Sequence, residues 1–182
     1  MEVTVLLKEA SEGNSGALDK LAEALYPELK AMARRRSQGG PGMGATTLVN
    51  ETFVKLLSGG DLRAQDRQQF FALTATIMRQ IIVDEIRYVT AKKRARDDVT
   101  FADTVMGDDG HEKAEFVLQV DEMLKIMEEQ DARLAREFEC RYFAGLTTAE
   151  TSAAMDISER SVERLWSSAR SRMAELIEES NA

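Results

Sequence analysis

One cysteine, one histidine, two prolines and few aromatic residues in 182 positions exclude several kinds of protein at once. A lone Cys140 cannot form an intramolecular disulfide, which fits a reducing compartment. With only His111 available, neither a Ser-His-Asp set nor a Cys/His zinc cluster can be assembled, and no glycine-rich loop precedes a Lys-Ser/Thr pair. An enzyme is therefore the least favoured class, and neither cofactor nor metal is expected. No apolar run approaches the roughly 18 residues of a membrane span, and no basic-then-apolar leader opens the chain. These absences predict a cytoplasmic protein with no membrane partner. Scarce proline beside abundant Ala, Leu, Met, Glu and Arg predicts an all-α fold.

The net charge of -8 argues against a uniformly DNA-binding surface, but its distribution does not. Residues 28–96 hold 13 Lys/Arg against 6 Asp/Glu, whereas residues 97–138 hold 4 against 13. A basic first half that meets an acidic middle predicts a two-part molecule with separate partners.

The most informative stretch is 147–172, TTAETSAAMDISERSVERLWSSARSR. Thr147 with Glu150 three residues on is a capping box, in which hydroxyl and carboxylate each satisfy an orphan amide at a helix start. After a turn near Met155-Asp156-Ile157, Ser158 caps a second helix. Its apolar residues Val162, Leu165, Trp166, Ala169 and Met173 share one face. Two capped helices joined this way form either a bare helical hairpin or a helix-turn-helix whose second helix enters a major groove. The outer face favours DNA. Arg160, Ser161, Arg164, Ser167, Ser168 and Arg170 suit both phosphates and base edges.

Upstream, Leu18, Leu21, Leu25, Leu29 and Met32 step by three and four along one helix that ends in Arg34-Arg35-Arg36. Those arginines either complement the helix dipole or contact a nucleic acid or partner. After a glycine-rich loop, Thr46 or Thr47 starts a helix through Leu48, Val49, Phe53, Leu56 and Leu57. Asp66 caps a long helix, with Gln69 at the box position. Phe70, Leu73, Ile77 and Ile81 line one side of it, and Phe71, Met78, Ile82 and Val89 widen the stripe. Its basic end (Arg87, Lys92, Lys93, Arg94, Arg96) suits phosphates. Residues 97–114 are acidic and without a helical stripe, which predicts a flexible linker between a domain at 1–96 and another at 115–182. In the second domain Phe116, Val120, Met123, Leu124 and Met127 predict one helix, and Asp131 caps another through Phe138 and Tyr142.

This order of parts resembles a bacterial extracytoplasmic-function sigma factor of the sigma-70 family, across nearly the whole chain. Thr47 to Leu57, TLVNETFVKLL, is similar to that family's DLVQETFLRLW segment, and Phe70 to Arg87 to its long basic helix. RYFAGLTTAETSAAMDISERSVERLW is similar to its carboxy-terminal helix-turn-helix. The resemblance implies a factor that binds core RNA polymerase, recognises −10 and −35 promoter elements, and helps melt the former. It implies that Leu48, Val49, Asn50, Glu51, Phe53 and Val54 dock on the coiled coil of the largest polymerase subunit, and that the second domain meets the flap; the alternative for Leu48 and Phe53 is a place in the core, and Phe53 could serve both. The −10 element falls to Arg63, Arg67, Arg79, Gln80, Asp84, Arg87, Lys92 and Lys93, with a base flipped into the loop near residues 58–69. The −35 element falls to Ser158, Glu159, Arg160, Ser161, Glu163, Arg164, Ser167 and Arg170. An anti-sigma factor is a candidate further partner. The acidic linker is expected to thread the polymerase's positive channel.

Three positions depart from the pattern: Gln80 stands where relatives carry Asn, Glu163 where they carry Lys, and Asp156 where they carry the turn glycine. Asp84 could equally brace Arg87 one turn along. Two other readings remain at this point. A helix-turn-helix regulator would bind promoters tightly without polymerase, and a sequestering module would ignore charge reversal at Arg160 and Arg164.

Overall fold

The computed structural model describes residues 3–37, 43–58, 64, 66–96 and 110–182, and every regular element among them is helical. Four helices form the first half: α1 (Val3–Ser11), α2 (Ser15–Ser37), α3 (Ala45–Ser58) and α4 (Arg67–Arg96). The second half holds α5 (Gly110–Gln130), α6 (Ala132–Phe138), a π-helical turn at Glu139–Phe143, α7 (Thr148–Met155) and α8 (Glu159–Asn181). This is the all-α fold that composition predicts. Helix α5 starts inside the stretch read as linker; residues 97–109 lie outside the described residues.

The helix starts are set locally. The Asn14 side chain accepts from the amides of Gly16 and Ala17, and Asp66 from that of Gln69 at 2.8 Å. Asp131 accepts from Arg133 and Leu134, and both halves of the Thr147–Glu150 capping box are present. Each such bond satisfies a donor that the helix cannot satisfy itself, at about 1 kcal/mol per cap. Pro27 lies inside α2, where it removes one ladder hydrogen bond.

Leu21, Leu25, Leu29 and Met32 of α2, Leu48, Val49 and Leu56 of α3, and Phe70, Met78, Ile82 and Ile86 of α4 are buried in one core. That core continues without a break into Val117, Val120, Leu124, Met127, Phe138 and Phe143 of the second half. Helix α4 is the shared element. It packs against α3 on one side and against the π turn, α7 and α5 on the other. This double packing accounts for the breadth of its apolar stripe.

Gly13, Gly145 and Asp156 carry positive φ among the described residues, and the last two lie in the second half. Gly145 (φ +64) leaves the π turn, and a Cβ there would lie 3.2 Å from the Met32 carbonyl oxygen, so both backbone and space require glycine. Asp156 (φ 54) holds the turn between α7 and α8 in the left-handed region, which favours glycine. Asp156→Gly is expected to raise stability by about 0.5–1 kcal/mol, read as a higher urea midpoint with unchanged slope. An unchanged or lower midpoint would show that the aspartate side chain offsets its backbone cost.

Candidate nucleic-acid interface

Helix α8 has a buried underside and an open outer face. Val162, Ala169, Met173 and Leu176 are buried, while Leu165 and Trp166 are half-buried. Trp166 packs against Phe138 with ring centroids 5.6 Å apart. On the opposite side Ser158, Glu159, Arg160, Glu163, Arg164, Ser167, Ser168 and Arg170 are exposed, and Ser161 is half-buried. The Ser158 hydroxyl accepts from the Ser161 amide at 3.2 Å and lies 2.9 Å from the Ser161 hydroxyl. Ser168 donates to the Arg164 carbonyl, so its hydroxyl is turned onto its own helix. The Arg170 guanidinium sits 5.4 Å from the Trp166 ring centroid, with Arg141 at the same distance. Such cation–π contacts brace a long side chain while its donors stay available. The helix therefore presents Arg160 and Arg164 outward near its amino-terminal end, on a rigid apolar base.

The residues expected at the −10 element are not one free surface. Gln80 and Asp84 are exposed on α4. Asp84 pairs with Lys55 of α3 at 3.2 Å rather than bracing Arg87. Arg87 instead reaches Asp121 Oδ2 of α5 at 3.3 Å. Arg79 is 12% exposed, and its Nε donates to Asp121 Oδ1 at 2.8 Å while Nη1 donates to Glu139 Oε1 at 3.2 Å. Arg67 pairs with Glu28 and lies 5.2 Å over the Phe71 ring. Lys92 lies 5.6 Å over the exposed ring of Tyr88. Arg63 and the Lys93 side chain lie outside the described residues.

The helix expected to dock on polymerase is divided. Leu48 and Val49 are buried in the core, a correction to their expected place at the surface: α2 and α4 cover the side of α3 that carries them. Asn50, Glu51 and Val54 are exposed, and Phe53 is half-buried with its ring stacked on Tyr26. The outward part of the segment is thus the polar Asn50-Glu51 pair together with Val54.

Sequence reasoning missed the ion pairs that join the halves. Burial alone would raise the Asp121 carboxyl, but hydrogen bonds from Arg79 and Lys125 outweigh it and hold its pKa below the ordinary value. Burial alone would likewise lower Arg79, and its bonds to Asp121 and the Glu139 charge raise it instead. Arg136 donates to Glu139 Oε2 at 2.8 Å and to the Thr76 hydroxyl at 2.7 Å. The one available signal was Glu139, set between the apolar Phe138 and Cys140.

Among the described residues no group of His, Cys, Asp or Glu could hold a metal ion, and no helix is long and apolar enough to cross a membrane. Cys140 is buried, which pushes its thiol up to about 12 and leaves it unreactive at neutral pH.

No curated protein matches the chain. A family model described as ECF sigma factor matches residues 1–179.

Proposed function

The chain belongs to the ECF sigma factor family, a family of transcription initiation factors rather than enzymes, and from that premise we propose how its parts divide the work. Residues 1–96 bind core RNA polymerase and the −10 element, and the second half, from α5 onward, binds the −35 element. The observation that carries the reading is α8, whose Arg160 and Arg164 stand exposed on a helix braced from below by Val162 and Trp166. A helix so mounted can enter a major groove without unpacking its own domain. Arg160, Ser161 and Arg164 read bases, and Arg170 holds phosphate. Glu163 repels phosphate, so it accepts from a cytosine amine. On α4, Arg79, Gln80 and Arg87 with the basic end hold the melted −10 strand through phosphates and stacking. Asn50, Glu51, Phe53 and Val54 meet the coiled coil of the largest polymerase subunit, with Val54 as apolar anchor inside a polar rim.

The test is to add the purified chain to core polymerase on a promoter selected from random DNA. Transcript initiation that depends on the chain is expected. Its absence, with folding and core binding both confirmed, would refute the reading. Within that assay Arg164→Ala is expected to weaken −35-dependent initiation by about 1–3 kcal/mol through loss of a bidentate base contact. Loss to the same extent on every −35 sequence would make Arg164 a phosphate contact instead.

A further inference from the structure

We propose that Tyr88 is a stacking platform: its exposed ring takes the face of one unpaired base of the melted −10 strand, while Arg87 and Lys92 beside it draw in the phosphates. The proposal rests on the reading of α4 as the helix that holds this strand, and it names the side chain on which a base lies. Its own evidence is what α4 leaves uncovered. Beyond the first turn and as far as Lys92, the exposed residues of α4 are Gln80, Asp84, Arg87, Tyr88 and Ala91. Steps of three and four keep these five on one stripe, while Ile77, Ile81, Ile86 and Val89 turn inward to the core. Tyr88 is the one aromatic residue in that stripe, and it is 60% exposed. The other two tyrosines are half-buried, Tyr26 stacked on Phe53 and Tyr142 on Phe138. Folding leaves most of the Tyr88 ring in water, so the ring adds little to the core and keeps its apolar surface for an occupant.

The surroundings of the ring select the kind of occupant. Lys92 stands one turn on, with its ammonium 5.6 Å from the ring centroid. The half-exposed Arg87 precedes Tyr88 in the chain. One turn back, the Asp84 carboxylate is offset by Lys55 of α3 at 3.2 Å, which weakens its repulsion of a passing phosphate. Residues 87–96 hold five basic residues and no acidic one. An open ring in such a field suits a polyanion with unstacked bases. The cations attract the backbone, and the ring returns the stacking that a base loses on melting. The rival occupant is a protein, since Val54 adjoins Lys55 on α3 in the segment assigned to polymerase. Charge decides between them. The centres of protein interfaces are depleted of charged residues, lysine among them, whereas Tyr88 lies between Arg87 and Lys92. Every base has a π-face, so the platform adds affinity without choosing a sequence.

The experiment uses the full chain assembled with core polymerase on the selected promoter, opened as a fork whose −10 strand carries 2-aminopurine at one position at a time. This base brightens when unstacked and is quenched again when it lies on an aromatic ring. The parent complex is expected to quench it at one position. Tyr88→Ala is expected to abolish that quench and to weaken binding of the single-stranded arm about tenfold, by the same factor on every −10 sequence. Tyr88→Phe keeps the ring and is expected to keep both properties, and Tyr88→Trp to strengthen them. Urea midpoints of the free variants and their affinity for core polymerase are expected to match the parent, which separates stacking from a structural role. Four results overturn the proposal: a Tyr88→Ala complex that quenches as the parent does; a loss confined to core affinity, which makes Tyr88 a polymerase anchor; a Tyr88→Phe variant as weak as Tyr88→Ala, which makes the hydroxyl the contact; and a loss on one −10 sequence only. Failure of the function reading looks different, because the parent complex then does not initiate at all.

Discussion

Leu48→Ala is expected to destabilise the protein by about 2–5 kcal/mol, whereas Val54→Ala is expected to change stability by less than about 0.5 kcal/mol and to weaken polymerase binding instead. The two residues lie on one short helix and, by resemblance, in one docking segment, so the contrast is a direct test of how α3 is used. Leu48 is 1% exposed, and its carbonyl accepts from the buried Thr52 hydroxyl at 2.6 Å. Truncation there leaves a cavity between α2, α3 and α4 that rigid helices close only in part. Val54 is 55% exposed, so little of its methyl surface gains from folding and most is available to a partner. Urea unfolding and core-polymerase affinity, measured on both variants and on Asn50→Ala, separate the roles. A Leu48→Ala protein of unchanged stability that no longer binds polymerase would return Leu48 to the interface.

What could be read in the sequence was what is decided within a few residues. The capping residues Asp66, Asp131, Thr147 and Ser158 each act on an amide two or three positions away, and each is found at its expected helix start. The apolar face of α8 was equally legible, since one unbroken helical period defines it. The meeting of the two halves was not legible, because it depends on pairs 34 to 115 residues apart, such as Arg87–Asp121 and Arg35–Glu150. Two traces of it were present nevertheless. The α4 stripe is too broad for a helix covered on one side, and Glu139 stands between the apolar Phe138 and Cys140. The arginines at the end of α2 read as dipole partners or external contacts, and two of them turn inward to α7 and Tyr142. In α5 the expected positions Val120, Met123, Leu124 and Met127 are buried, and only Phe116 at its start is exposed, with Val117 in the buried place. The π turn was beyond reach, since it inserts a residue into a helical period without any residue type that marks it.

Glu137→Gln is expected to stabilise the protein by roughly 2–3 kcal/mol at pH 8 and to leave it almost unchanged near pH 4.5. Glu137 sits on α6, two residues before the π turn begins at Glu139, and is 0% exposed. Neither carboxylate oxygen has a hydrogen-bond partner in the protein. Burial pushes this carboxyl up to about 7, against a smaller downward pull from the Arg141 charge. The sign follows from proton counts. Between its ordinary value of 4.5 and about 7 the unfolded chain has released the proton and the folded chain retains it, so stability falls as pH rises through that window. Below 4.5 both states are protonated and the group contributes in full; above 7 the folded chain must bury a charge. Glutamine has the shape of the neutral acid and cannot ionise, so it removes the slope without opening a cavity. Thermal unfolding from pH 4.5 to 8 measures both. Parallel curves for parent and variant would mean that Glu137 finds a partner in solution. The consequence reaches function, since α6 supports the π turn that aims Glu139 at Arg79 and the Phe138 ring on which Trp166 and α8 rest. An ionised Glu137 loosens that support from beneath, so the same substitution is expected to slow amide exchange in α8 at pH 8 while the exposed arginines of its outer face remain as they are.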